Sequence, residues 1–177
     1  MALRKAKVYH RKERSYTRTS KVKNKSYIKT RPPSKVVKFT MGDAKKFNAG
    51  GFPIVVRFIS KEAAQIRDNA IEASRQIIIR HLEKNFGTDY YFNMPLFPHH
   101  ILREHKMAAV AQSDRTFAGM SHAFGKTISV AAQVSYGSTL FVIAISQETG
   151  LKTIRNIIDM VKPKMGLKGS VVVEEKK

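Results

Sequence analysis

Apolar positions along the chain follow two periods. Phe52 to Ile59 is apolar and β-branched, interrupted only by Pro53 and Arg57, and predicts a strand. Apolar residues then recur at helical spacing. Ala63, Ile66, Ala70 and Ile77 form one stripe, with Ile71, Ile78, Leu82 and Phe86 beside it. Ser60 stands where a helix cap would, Glu62 suits the first turn, and Gly87 is a natural stop. The pattern predicts one helix from Ser60 to about Phe86. A second helix is expected after Ser146, with Leu151, Ile154, Ile157, Ile158 and Val161 on one face and Pro163 as its end.

The other segments read as strands and loops. Val36, Val37 and Phe39 predict a short strand before a turn at Met41-Gly42, and Asn48, Gly50 and Gly51 predict a loop. Tyr90 to Leu96 alternates weakly and is expected to end at Pro95 or Pro98. Ile101-Leu102 begins another strand. Thr127 to Val134 alternates cleanly, Leu140 to Ile145 is continuously apolar, and Gly137-Ser138 between them predicts a hairpin. Val171 to Val173 completes the set. Lys106 to Phe124 has neither period and reads as a long loop, a length usually tied to function or disorder. Strand runs with two helices predict an α+β fold with a mostly antiparallel sheet.

Charge divides the chain differently. Its 177 residues carry 33 Lys+Arg against 13 Asp+Glu, a formal net of +20. Residues 1–46 hold 16 of those cations and only Glu13 and Asp43 as acids, a net of +14; residues 47–177 carry +6. The first part repels itself and lacks a sustained apolar period. We therefore expect a basic extension over 1–34 and a globular domain over 35–177. Tyr9, Tyr16 and Tyr27 are interleaved with the cations. Cations for phosphates beside flat rings for bases is the composition of an RNA-binding extension. The candidate contacts there are Arg4, Lys5, Lys7, Tyr9, Arg11, Lys12, Arg14, Arg18, Lys21, Lys23, Lys25 and Arg31.

Other classes find less support. No run of about 18 apolar residues exists to span a membrane. The first 46 residues hold no amphipathic basic helix for a membrane surface. Cysteine is absent, which excludes disulfides and thiolate metal sites. Gly119 to Thr127 resembles a phosphate-binding loop, but five residues separate Gly119 from Gly125 where that motif needs four. His99, His100, Glu104 and His105 lack metal-site spacing, and Asp114, Ser121 and His122 make no persuasive triad. No catalytic residue, metal, cofactor or small-molecule substrate is expected.

Residues 95–127 make the reading specific. FPHHILREHKM at 97–107, DR at 114–115, GM at 119–120 and AFGK at 123–126 resemble the large-subunit ribosomal protein family called L-ten-e in archaea and eukaryotes and L-sixteen in bacteria. KVVKFTMG at 35–42, FP at 52–53 and EASRQ at 72–76 resemble it too, and the long basic arm makes the form archaeal in type. The chain departs at Ala111-Gln112-Ser113, where relatives are often glycine-rich, and at Ser121, where many carry arginine. The resemblance implies a β-hammerhead-like α+β fold and a cytoplasmic, non-enzymatic role in the large subunit. It implies binding to large-subunit rRNA near the A-site tRNA, with ribosomal proteins as neighbours. It also implies that a loop at about 106–120 faces the tRNA path toward the peptidyl-transferase centre. Arg103, Lys106, Asp114, Arg115, Gly119, Met120 and Lys126 are the residues it assigns there.

Overall fold

A computed structural model describes residues 5–11, 31–104, 126–147 and 150–175. Among them are eight strands: β1 (Thr40–Gly42), β2 (Ile54–Ser60), β3 (Ala64–Arg67), β4 (Tyr90–Asn93), β5 (His100–Glu104), β6 (Lys126–Val134), β7 (Thr139–Ile145) and β8 (Gly169–Glu175). Three α-helices accompany them: α1 (Ala44–Asn48), α2 (Asp68–Phe86) and α3 (Gly150–Met165). The strands form two antiparallel sheets, ordered β1-β4-β7-β2-β8 and β3-β6-β5. The class is α+β, as expected.

The predicted first helix starts too early. Ser60 closes a tight turn instead: its hydroxyl donates to the Glu62 carbonyl at 2.7 Å and accepts from the Glu62 N–H. Ala64–Arg67 is then a strand, paired with β6 from Ala64 opposite Val134 to Arg67 opposite Ala131. Ile66, counted in a helical stripe, is 1% exposed in that strand. Four residues with two apolar positions satisfy either period, so tertiary pairing decides.

The predicted hairpin also fails. β6 and β7 lie in different sheets. The turn between them, closed by the Ser138 N–H to the Ser135 carbonyl with Gly137 at φ 79°, hands the chain across. The β2–β3 connection crosses beside it, and two backbone hydrogen bonds tie the crossings: Ser60 N–H to Ser138 O and Gly137 N–H to Ser60 O, both 2.9 Å. The two sheets thus share one corner.

Apolar faces fill the space beneath. Ile71, Ile78 and Leu82 of α2 and Ile154, Ile157, Ile158 and Val161 of α3 meet Ile54, Val56, Phe58, Phe92, Phe141 and Ile143 of the large sheet. The other face of that sheet is closed by α1, which the sequence reading left within a loop approach. Asp43 caps it by accepting the Lys46 N–H at 2.9 Å, and the Phe47 ring stacks on Tyr91 at 4.0 Å. α3 continues past Pro163 to Met165 and stops at Gly166, at φ 67°. Pro163 is exposed in the last turn, so its missing N–H costs one bond on the solvent side. Ser146 lies in a bend before α3, where its hydroxyl accepts from Lys46 Nζ at 3.0 Å.

Val36 to Phe39 is a strap rather than a strand. Lys35 N–H donates to Asp68 Oδ2 at 3.1 Å and Val37 N–H to Glu72 Oε2 at 3.3 Å, so these donors serve carboxylates on α2 instead of a ladder. The ladder begins at Thr40, opposite Asn93. Its last residue must be glycine, because at φ 83° a Cβ on Gly42 would run into the Tyr90 carbonyl oxygen.

Candidate nucleic-acid interface

The segment expected to form the long loop has defined ends. β5 and β6 pair antiparallel, with Arg103 opposite Thr127 and Glu104 opposite Lys126. Both ends of segment 105–125 therefore leave from one end of the small sheet. Of the loop residues assigned from sequence, Arg103 is half-buried and Lys126 is exposed at this root. Lys106, Asp114, Arg115, Gly119 and Met120 lie outside the described residues, as does the Gly119–Gly125 stretch.

The start of the chain packs on the same small sheet. Lys5 to Arg11 forms one 3-10 turn, Ala6–Val8, and then runs along the open edge of β3. Gln65 N–H donates to the His10 carbonyl at 2.9 Å, and its side-chain amide donates to the carbonyls of Tyr9 and Arg11 at 2.9 and 3.0 Å. The Tyr9 ring is 1% exposed and packs with Leu102 and Ala131. Its hydroxyl donates to Glu104 Oε2 at 3.2 Å, and the Arg67 guanidinium lies 5.5 Å from its ring centre.

This corrects the reading of Tyr9 as a base-stacking residue. The ring is a core anchor, and residues 5–11 belong to the packed body although they fall within the expected extension. Lys5, Lys7 and Arg11 remain exposed around it. Arg4, Lys12, Arg14, Arg18, Lys21, Lys23 and Lys25 lie outside the described residues, as do Tyr16 and Tyr27.

Where the description resumes, Arg31 donates to the Pro98 carbonyl at 3.0 Å, with its guanidinium 5.4 Å from the Phe97 ring centre. His99 stands 4.4 Å from the same ring, and Phe97 is 42% exposed. Cation, phenyl ring and imidazole thus meet at the surface leading into β5. Sequence reasoning named Arg31 but not its partners; the run Phe97-Pro98-His99 carried the signal. Among the described residues no group of three metal-capable side chains converges. No described helix is long and apolar enough to cross a membrane.

The EASRQ segment proves to be a fastener. Arg75 pairs with the carboxylate of Glu72 through two nitrogens, and Gln76 donates to it at 3.0 Å. The bonds from Arg75 outweigh the cost of burial and hold the Glu72 carboxyl below its ordinary value of 4.5, and Arg75 is raised in return. Glu72 Oε2, which accepts from Arg75 Nε, also accepts the Val37 N–H, so the pair latches the strap at residues 35–39.

The family model for ribosomal protein L16p/L10e matches residues 11–172. The chain belongs to that family. It is 39% identical over 149 residues to the large ribosomal subunit protein uL16 of Archaeoglobus fulgidus, which covers 84% of this chain and 80% of the relative. The Methanococcus maripaludis protein of the same name is 41% identical over 150 residues, 84% of this chain and 81% of its own. The Metallosphaera sedula protein is 36% identical over 177 residues, 98% and 95% of the two chains. The L16p/L10e family is structural rather than enzymatic, as the sequence reading expected, and the relatives are archaeal in type. The match includes residues 105–125 and the basic stretch from Arg11 onward.

Proposed function

We propose that this chain, a structural constituent of the large ribosomal subunit, binds large-subunit rRNA through its basic arm and lines the tRNA path with its loop. The reading rests on one observation above all: the hydroxyl of Tyr9, in the segment that starts the arm, is hydrogen-bonded to Glu104 at the base of the loop segment. One side chain thus ties the start of the arm to the base of the loop segment, while the arm's backbone at His10 and Arg11 runs beside Gln65 toward the other end of β6. The arm supplies phosphate neutralisation. Lys12, Arg14, Arg18, Lys21, Lys23 and Lys25 are its contacts, with Arg4, Lys5, Lys7, Arg11 and Arg31 on the flanks. The loop, with Lys106, Asp114, Arg115, Gly119 and Met120 between Arg103 and Lys126, shapes the approach of A-site tRNA by charge and volume. Peptide-bond chemistry stays with rRNA, and neighbouring ribosomal proteins complete the setting.

The test is salt dependence. Removing one phosphate-binding cation should make the slope of log K against log salt shallower by about 0.7 to 0.9. Replacing the six cations from Lys12 to Lys25 by glutamine should therefore weaken rRNA binding and flatten that slope by about four to five units. This change keeps Tyr9 in place, so the fold is not perturbed. An unchanged slope would refute the arm's role.

A further inference from the structure

A groove borders the N-terminal segment on the side of α3. It encloses about 690 Å³ between residues 6–10, β3 and the end of α3. Lys7, Arg67, Lys162, Lys164 and Lys168 line it, over an apolar floor that includes Ile66, Met165 and Leu167. Glu62 is the acid among the lining residues, and it is engaged: it accepts the Lys168 N–H at 2.7 Å and lies 3.7 Å from His10 Nε2. Lys162 is paired with Asp159. Lys164 and Lys168 are exposed.

The α3 macrodipole accounts for Lys162 and Lys164, since cations favour a helix C-terminus. It does not account for Lys7, Arg67 and Lys168, which come from three other segments. The basic arm does not suit the groove as an occupant, because like charges would meet. One aromatic ring adds a second signal. Tyr136, 75% exposed, sits on the turn bonded to Ser60 through Gly137 N–H, while the next residue, Lys61, donates its N–H to the Lys168 carbonyl. A bare ring and the groove's Lys168 therefore flank the same dipeptide.

We propose that this groove holds a backbone segment of large-subunit rRNA, with Lys7, Lys164 and Lys168 on its phosphates and Tyr136 stacking on a base at its end. The proposal rests on the rRNA-binding reading and adds a contact surface that shares only Lys7 with the arm's candidate contacts. Cations from several segments around an open groove, beside a bare aromatic ring, fit an RNA strand better than a protein segment.

The test uses the full chain and protein-free large-subunit rRNA. Lys164→Ala with Lys168→Ala should lower affinity at physiological salt and make the salt slope shallower by about 1.4 to 1.8 units, about 0.7 to 0.9 for each cation removed. Tyr136→Ala should lower affinity roughly tenfold without changing the slope. Lys45→Ala with Lys84→Ala, on exposed positions away from the groove, should have less effect than the groove pair. Unchanged affinity and slope in the groove pair, while arm neutralisation still flattens the slope, overturns the groove and spares the rRNA reading. Indifference to both sets of changes overturns both. A photo-crosslinker at position 164 in assembled large subunits should capture rRNA; capture of a ribosomal protein instead overturns the proposal in favour of an acidic protein segment.

Discussion

Replacing Tyr9 by alanine should release the start of the chain from the small sheet. A buried tyrosine ring removes about 150 Å² or more from water, which at about 25 cal/mol per Å² is about 4 kcal/mol. Its bond to Glu104 adds about 1 kcal/mol. The full sum should not appear in a global melt. The cluster around the ring is small, with Leu102 and Ala131 buried and Val8 and Ile128 half-buried, so residues 5–11 can undock while both sheets stay folded. The expected global loss is therefore about 2 kcal/mol, a fall in Tm of about 4–8 °C for a chain of this size. The local effect is read at one amide. Gln65 N–H points to the His10 carbonyl, off the edge of β3, so its hydrogen exchange reports docking directly. It should quicken by about 30-fold or more in Tyr9→Ala, which is the rate equivalent of about 2 kcal/mol. Tyr9→Phe keeps the ring and should cost about 1 kcal/mol or less. Unaltered Gln65 exchange in Tyr9→Ala would refute the assignment of the ring as an anchor.

Two further outcomes follow from the same geometry. Glu72 has its pKa depressed in the folded chain, so its contribution is complete above its unfolded value near 4.5 and fades as pH falls through the lower folded value. Glu72→Gln should destabilise the protein at neutral pH by about 3 kcal/mol, because Arg75 loses a largely buried partner, and should flatten the acid side of the stability profile; an unchanged profile in urea melts at pH 3 to 7 would contradict the latch. Arg115→Ala should impair tRNA accommodation on reconstituted ribosomes more than it impairs rRNA affinity; equal loss of both would make Arg115 an anchor only.

Local signals were legible in the sequence and pairing between distant segments was not. The strands β2, β6 and β7 announced themselves by alternation or by a continuous apolar run, and the lower part of α2 by a long 3.6-residue period. The corner did not, because Ala64–Arg67 fits helix and strand alike and only its ladder with β6 decides. The turn at Gly137-Ser138 has hairpin chemistry, yet Ser60 captures it and sends β7 to the other sheet. α1 is too short at five residues for any period to show. At the candidate interface, charge density pointed to residues 1–34 and the ordered motifs to residues 106–120, most of which lie outside the described residues. Tyr9 was hidden by its neighbours: a tyrosine among lysines and arginines reads as an exposed RNA contact. Its burial depends on Leu102 and Ala131, about a hundred residues away. EASRQ read as a family motif without a role. Its role appears once Val37 is seen to donate to Glu72.

The central claim is that the packed body binds the large subunit through its basic arm and its 105–125 segment. Sedimentation of the full chain with separated ribosomal subunits through a moderate salt wash tests it most directly. The account predicts that the chain stays with large subunits, and that the arm-neutralised chain is released by the same wash. Recovery of the full chain in the free fraction, or with small subunits, would contradict it.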